Sequence, residues 1–160
     1  MIGFCSSAES WTGGLLAALI TTVPRSSDVF DRGFVTYSNA AKVECLGVSP
    51  GILEIFGAVS GEAAKAMAEG AIARSNADIS LSITGIAGPA GGTTEKPIGV
   101  VYFCLGKRSG VSAAAERHFG ILGRDAVRYA AIATSVELLL EAVAKNSGGP
   151  LPSLETVPPA

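Results

Sequence analysis

The chain has 160 residues, of which 48% are hydrophobic and 16% are charged. This balance supplies enough apolar side chains for one buried core and is the opposite of the balance found in disordered proteins. The formal net charge is −2 and no cluster of lysine and arginine is present, so the sequence excludes a nucleic-acid-binding surface of the usual basic kind.

The cysteine and histidine content argues against a zinc site or a disulfide framework. Cys5, Cys45 and Cys104 are odd in number and widely spaced, and His118 is the only histidine. The N-terminus lacks the basic region of a signal peptide, and the longest apolar stretch, residues 15–23, is too short to cross a bilayer. We therefore expect a cytoplasmic protein with reduced thiols, no metal site and no membrane partner.

The predicted elements of the first half begin with a short strand at residues 2–5. A polar turn follows at 6–12, and then a helix from about 12 to 22 that ends before a proline. Residues 34–37 are β-branched or aromatic and predict a second strand.

In the second half, Ser60 is placed as the N-cap of a helix. The residues of that helix expected to share one buried face are Ala63, Ala66, Met67, Gly70 and Ala71. Residues 78–83 alternate between apolar and polar and predict a strand, whereas 99–105 are almost continuously apolar and predict a central strand. A further strand is expected at 112–119.

The last predicted element is a long helix at about 124–144. Its expected buried stripe consists of Val127, Ala130, Ala131, Thr134, Leu138 and Ala142. The glycine- and proline-rich residues 146–160 cannot continue this helix, and we expect a disordered tail there. Alternating strands and helices predict a single α/β layered domain at 1–145.

The first candidate site is the strand-to-helix turn around Ser10. The first N–H groups of a helix have no partner within the helix, and Gly13 and Gly14 allow a ligand to approach that backbone closely. Ser10 can therefore be a nucleophile that faces donors for an oxyanion. The alternative is that Ser10 or Thr12 only caps the helix.

The second candidate is Lys42, which follows a predicted strand, with Asn39 as the expected cap of a short helix. A lysine acts as a general base only when it is neutral, so its pKa of about 10.4 must be lowered by burial or by a neighbouring cation. A solvated surface lysine is the alternative interpretation.

The third candidate is the long loop at residues 84–97, which is rich in glycine, proline and threonine. Such a loop can form an anion nest suited to a phosphate, although it matches neither a Walker A loop nor GxGxxG. Arg124, at the start of the last helix, can offer a bidentate fork to a phosphate or carboxylate. A plain connection between strands and a surface ion pair with Asp125 are the competing explanations.

Together these segments resemble the CinA C-terminal-domain family. The resemblance runs in order through residues 8–14, 34–42, 57–60, 84–89, 95–99 and 123–128. It implies a three-layer α/β/α sandwich with a mixed, mostly parallel sheet. It also implies hydrolysis of nicotinamide mononucleotide to nicotinic acid mononucleotide and ammonia, with no metal or organic cofactor.

The resemblance also implies the roles of individual residues. Ser10 and Lys42 occupy the positions of the family's catalytic dyad. The family's active-site tyrosine, threonine and arginine fall on Tyr37, Thr84 and Arg124. We also expect Gly85 to bind the substrate and the N–H groups near Gly13 and Gly14 to hold the oxyanion. The expected partner is a small nucleotide substrate, and we expect a homo-oligomer.

Two departures from the family keep an alternative open. Trp11 stands where the family usually has cysteine, and an indole beside the nucleophile can narrow the pocket or change the substrate. Members also usually carry a helix ahead of the first strand, so we expect either a start upstream of Met1 or a sheet covered in another way. The alternatives are a catalytically inactive nucleotide-binding or regulatory module of the same fold and an amidase for a different pyridine or nucleotide amide.

Overall fold

The computed structural model describes residues 4–110 and 112–145. Its centre is a five-stranded sheet with the strand order β2-β1-β3-β4-β5. The strands are β1 (Cys5–Glu9), β2 (Phe30–Val35), β3 (Ile79–Gly85), β4 (Val100–Lys107) and β5 (Ser112–His118). The helices are α1 (Leu15–Ile20), α2 (Asn39–Leu46), α3 (Pro50–Ile55), α4 (Gly61–Ala73) and α5 (Arg124–Lys145), with a 3₁₀ turn at Ser26–Asp28.

The sheet is mixed, as the family resemblance implies, but it is not mostly parallel, because two of its four strand pairings are antiparallel. Strand β1 pairs in parallel with both β2 and β3, whereas β4 runs antiparallel to both β3 and β5. The carboxyl ends of β1, β2 and β3 therefore meet at one edge of the sheet. Open α/β sheets place their ligands at this edge.

Helices cover both faces of the sheet and confirm the α/β/α layering. On one face, α1 and α5 pack over a cluster that includes Leu16, Ile83, Phe103 and Val127. On the other face, α2, α3 and α4 enclose a second cluster, which consists of Ala8, Leu46, Val48, Leu53, Ala63, Met67 and Ala71. Because both faces are covered, the polar residues of the inner strands are buried as well.

The alternation in β3 shows how those polar residues are accommodated. Ser80 and Ser82 are fully buried under α4. Each hydroxyl donates to a carbonyl of that helix, Ser80 to Ala68 at 2.8 Å and Ser82 to Ala64 at 2.6 Å. These bonds, each contributing about 1 kcal/mol net, join the helix to the sheet. The predicted strand is correct, and its polar face contacts a helix rather than water.

The start of the chain differs from the prediction. Residues 6–9 form most of β1 rather than a polar turn, because this interior strand is paired on both sides. Strand β2 begins at Phe30, earlier than predicted, since an edge strand tolerates the polar residues at positions 31–33. Helix α1 begins only at Leu15, because Gly14 before it is left-handed with φ of 92°.

The later elements agree with their predictions. Ser60 caps α4 by accepting a bond from the N–H of Ala63 at 3.1 Å, and β3, β4, β5 and α5 all lie within a few residues of the predicted bounds. The short helix α3 and the 3₁₀ turn were not predicted. The tail at 146–160 lies outside the described residues.

Two features of the molecular surface complete the description. Over the described ranges, no helix is long and apolar enough to cross a membrane. At the end of the sheet where β1 and β3 begin, α1 and α5 leave an open apolar trough of about 710 Å³, continuous with a smaller one of about 310 Å³. The apolar residues that line them include Leu19, Ile20, Val23, Val29, Val136, Leu139, Leu140 and Val143.

Candidate active site

Ser10 lies directly after β1, at the carboxyl edge of the sheet. Its N–H donates to the carbonyl of Ile83 at the end of the neighbouring strand, at 3.1 Å. Its own carbonyl accepts the N–H of Gly13 at 3.1 Å, which closes a tight turn. The residue is 7% exposed. The turn thus fixes Ser10 between the end of a strand and the start of a helix.

Glu9 caps the helix that follows this turn. Its buried carboxylate accepts the N–H groups of Gly14 and Leu16, both at 3.1 Å, and of Ala17 at 3.0 Å. A carboxylate at a helix N-terminus is favoured by the helix dipole as well as by these bonds. The capping role considered for Ser10 or Thr12 therefore belongs to Glu9, and the serine hydroxyl is left available for chemistry.

The same bonds contradict the expected oxyanion role of Gly13 and Gly14. The N–H of Gly13 donates to Ser10, and the N–H of Gly14 donates to Glu9. Both glycines are left-handed, with φ of 66° and 92°, so their contribution is the backbone conformation of the turn.

Lys42 is carried to the same edge by α2. The N-cap of this helix is Ser38, whose hydroxyl accepts the N–H of Ala41 at 3.0 Å, and the predicted cap Asn39 is instead its first residue. The side chain of Lys42 is 1% exposed, so it is not a solvated surface lysine. Burial of this kind is uncommon for lysine and requires partners for the ammonium group.

The ammonium group has three hydrogen-bond partners. Its Nζ donates to Ser10 Oγ at 3.1 Å, to the carbonyl of Thr36 at 2.7 Å and to the carbonyl of Tyr37 at 3.4 Å. Burial lowers the pKa of Lys42 to about 8, from an ordinary value of 10.5. An amine with this pKa is about one-tenth neutral at pH 7 and about half neutral at pH 8.

The two carbonyls determine where the lone pair of the neutral amine points. Carbonyl oxygens only accept hydrogen bonds, so they hold the two remaining N–H groups of Lys42. The lone pair is then directed at Ser10 Oγ, which can donate its proton. The arrangement can activate a serine without a histidine or a metal.

Tyr37 and Arg124 extend this network toward solvent. The Nη2 of Arg124 donates to the hydroxyl of Tyr37 at 3.4 Å, and its Nη1 donates to the carbonyl of Gly88 at 3.2 Å. The ring of Tyr37 is 64% exposed. These groups form an open rim beside Ser10, where a substrate could contact a planar cation and an aromatic ring.

Thr84 and Gly85 lie at the end of β3, next to Ser10. The hydroxyl of Thr84 is buried and donates to the carbonyl of Ala58 at 2.7 Å, so its proton is already used to hold a neighbouring loop. A Cβ on Gly85 would come within 2.5 Å of the carbonyl of Val100, which explains the glycine. The predicted contact of both residues with the substrate stays a prediction.

The loop that follows β3 folds back on itself. The N–H of Thr93 donates to the carbonyl of Lys96 at 2.9 Å, and the N–H of Lys96 donates to the Thr93 hydroxyl at 3.0 Å. The ammonium of Lys96 donates to the carbonyl of Phe56 at the end of α3. The predicted phosphate nest therefore stays a prediction, with Gly88 as the part of this loop that contacts Arg124.

Trp11 does not narrow the site. Its indole is 6% exposed and packs in the cluster beneath α5, with Leu16 and Val127 among the members of that cluster. Among the residues placed by the structure, no group of three or more His, Cys, Asp or Glu side chains could hold a metal ion. Glu9 is the residue of this region that the sequence analysis missed, although an acidic residue just before a predicted helix is a known capping signal.

Comparison with known proteins assigns the chain to a family. The fold is an α/β/α sandwich with a serine and a buried lysine at the carboxyl edge of its sheet. The chain belongs to the CinA C-terminal domain family, whose sequence model matches residues 4–143.

Relatives of similar length and longer relatives both occur. The nicotinamide-nucleotide amidohydrolase PncC of Enterobacter agglomerans is 48% identical over 139 residues, which cover 87% of this chain and 84% of that protein. A CinA-like protein of Syntrophobacter fumaroxidans is 44% identical over 142 residues, 89% of this chain but only 33% of that protein. The chain thus spans about a third of the length of several curated relatives that it matches.

The solved structures agree with the fold. The crystal structure of the competence/damage inducible protein CihA from Agrobacterium tumefaciens superposes with a TM-score of 0.84 at 46% identity, covering 86% of this chain and 84% of that one. A CinA superfamily protein from Escherichia coli superposes with a TM-score of 0.82 at 37% identity, covering 86% of this chain and 79% of that one.

Proposed function

We propose that this chain is a serine amidohydrolase that converts nicotinamide mononucleotide to nicotinic acid mononucleotide and ammonia in the cytoplasm. The observation that carries the proposal is the 3.1 Å hydrogen bond between Ser10 Oγ and the buried Nζ of Lys42. The nicotinamide-nucleotide amidohydrolase PncC, which is 48% identical to this chain, suggests the substrate class. A module that only binds nucleotides has no need of a buried lysine directed at a serine.

The geometry supports a two-step acyl transfer. Neutral Lys42 takes the proton of Ser10 as its Oγ attacks the carboxamide carbon, which forms the C–O bond and places negative charge on the carbonyl oxygen. The ammonium of Lys42 then protonates the amide nitrogen, the C–N bond breaks, and ammonia leaves an acyl-enzyme. Water, activated by Lys42 in the same way, hydrolyses the ester and returns Ser10.

The rim formed by Tyr37 and Arg124 is where the rest of the nucleotide would bind. Arg124 can hold a phosphate or stack on a ring, and both of its present contacts are to neutral oxygens, at 3.2 and 3.4 Å. Because a phosphate oxygen is a stronger acceptor than either, we expect the guanidinium to turn to the substrate.

The test is ammonia release from nicotinamide mononucleotide by the purified chain and by three variants. We expect Ser10→Ala and Lys42→Met each to lower kcat by at least about a thousandfold, since removal of a dyad member removes the covalent route. Arg124→Ala should mainly raise KM. Ser10→Ala with near-normal turnover would contradict the nucleophile assignment, and a folded wild type that binds the nucleotide without turnover would favour the binding module.

A further inference from the structure

A hydrogen bond from Arg128 on α5 reaches the turn that carries Ser10. The Nη2 of Arg128 donates to the carbonyl of Thr12 at 3.2 Å, across 116 residues of sequence. The same carbonyl accepts the N–H of Leu15 at 3.3 Å. The Thr12 carbonyl therefore accepts one hydrogen bond from the start of α1 and one from α5.

Only some N–H groups near Ser10 are available to a substrate. The N–H groups of Ser10, Gly13 and Gly14 all donate within the protein. Within residues 4–110 and 112–145, those of Trp11 and Thr12 donate to no acceptor. They belong to the two residues directly after the nucleophile.

We propose that the N–H groups of Trp11 and Thr12 bind the oxyanion, and that Arg128 is the positioning residue that holds them in place through the Thr12 carbonyl. This inference rests on the proposed serine amidohydrolase. Donors fixed in advance lower the barrier because no reorganisation is needed when charge develops on the oxygen. The N–H of the residue after a nucleophilic serine has this role in other hydrolases.

The surroundings of Arg128 favour this role over an ordinary surface ion pair. Its ion pair with Asp125 spans 3.8 Å, and the Asp125 side chain is 83% exposed, so the pair is weak. The Nε of Arg128 is buried and has no partner among the described residues. The Thr12 carbonyl is therefore its main contact. The competing role for a partly buried guanidinium is to bind a substrate phosphate.

Steady-state kinetics of Arg128→Met and Arg128→Lys distinguish these roles. If Arg128 positions the oxyanion donors, Arg128→Met should lower kcat by roughly ten- to a hundredfold with KM changed less than about threefold, because the donors act mainly in the transition state. Arg128→Lys should recover part of kcat, since lysine still offers a donor to the Thr12 carbonyl. The loss should be equal for nicotinamide riboside, which lacks the phosphate.

Arg108→Met is the matched control. Arg108 likewise binds backbone carbonyls, those of Ile72, Ser75 and Ala77, but at the far end of β3. We expect this variant to lower the melting temperature and leave kcat unchanged. The comparison separates positioning of the turn from a general loss of stability.

Each other outcome overturns the inference. An unchanged kcat in Arg128→Met, a rise in KM alone, or a loss confined to the phosphorylated substrate would remove the positioning role while leaving the hydrolase intact. A wild type without Ser10-dependent ammonia release would overturn the proposed function and this inference together. If Arg128→Met does not fold, Arg128→Lys alone decides. The inference is overturned if Arg128→Lys has wild-type kcat and KM for both substrates. It is also overturned if only the KM for the phosphorylated substrate rises.

Discussion

Lys42 is held by two carbonyl oxygens that only accept hydrogen bonds, so its neutral form can take a proton from one direction, that of Ser10. Burial supplies the neutral form by lowering the pKa to about 8. Both the lowered pKa of this amine and the direction of its lone pair are thus properties of its immediate environment. Neither needs a second ionisable residue.

This environment predicts the pH dependence of the reaction. Because only the neutral amine accepts the serine proton, kcat/KM should rise about tenfold per pH unit at acidic pH and level off above an apparent pKa of about 8. The measurement is ammonia release between pH 6 and 9.5, with stability checked at each pH. A profile that is flat across this range, or that falls as the pH rises, would contradict Lys42 as the base.

At the scale of elements, α1 depends on one side chain outside it. The helix has only six residues and follows two left-handed glycines, a length that is marginal without external support. Glu9 provides that support by accepting the N–H groups of Leu16 and Ala17 in its first turn and that of Gly14 just before it. The residue next to the nucleophile therefore also fixes the start of the helix.

Replacing Glu9 tests this dependence. Glu9→Gln removes the charge and turns an amide N–H₂ toward backbone donors, so we expect a loss of about 2 kcal/mol in the free energy of unfolding. The control is Glu62→Gln, since Glu62 is an exposed acidic residue in the first turn of α4. This substitution should lower the free energy of unfolding by only a few tenths of a kcal/mol. Urea denaturation measures both, and equal effects would argue against a special role for Glu9.

The elements also show what could be predicted from the sequence. Helix α5 and strand β3 follow from apolar residues that repeat at helical or strand spacing, and β4 follows from an almost continuous apolar run. Strand β1 was missed because its Ser6, Ser7 and Glu9 are polar, and only the paired strands on both sides make their burial possible. The pairing of Ser10 with Lys42 joins residues 32 apart and was expected only from the family resemblance.

On the scale of the whole molecule, the two ends of the sheet have opposite characters. The carboxyl end of β1 carries the polar site, whereas the other end opens on the apolar trough between α1 and α5. Among its large side chains, Val23 is 60% exposed and Leu140 is 64% exposed. Contiguous apolar surfaces of this kind are uncommon on monomers.

This surface supports the homo-oligomer expected from the sequence, which stays a prediction. We expect sedimentation velocity at tens of micromolar chain to show a species larger than the monomer, and Leu140→Lys to shift it toward the monomer. Ile55→Lys is the control, because Ile55 is 75% exposed on α3, on the opposite face of the sheet. A wild type that sediments as a monomer at all concentrations would contradict the prediction.

Thr36 and Tyr37, between β2 and α2, both contact Lys42, and Tyr37 also lies on the open rim of the site. The carbonyls of Thr36 and Tyr37 hold the base, and the Tyr37 side chain lies on the rim beside Arg124. A backbone shift that moves the Tyr37 ring to suit a new substrate would also move an oxygen that orients Lys42. Substrate range and turnover of the proposed amidohydrolase are therefore coupled through these two residues. Attempts to broaden its specificity at Tyr37 should keep the main chain fixed and vary only the ring.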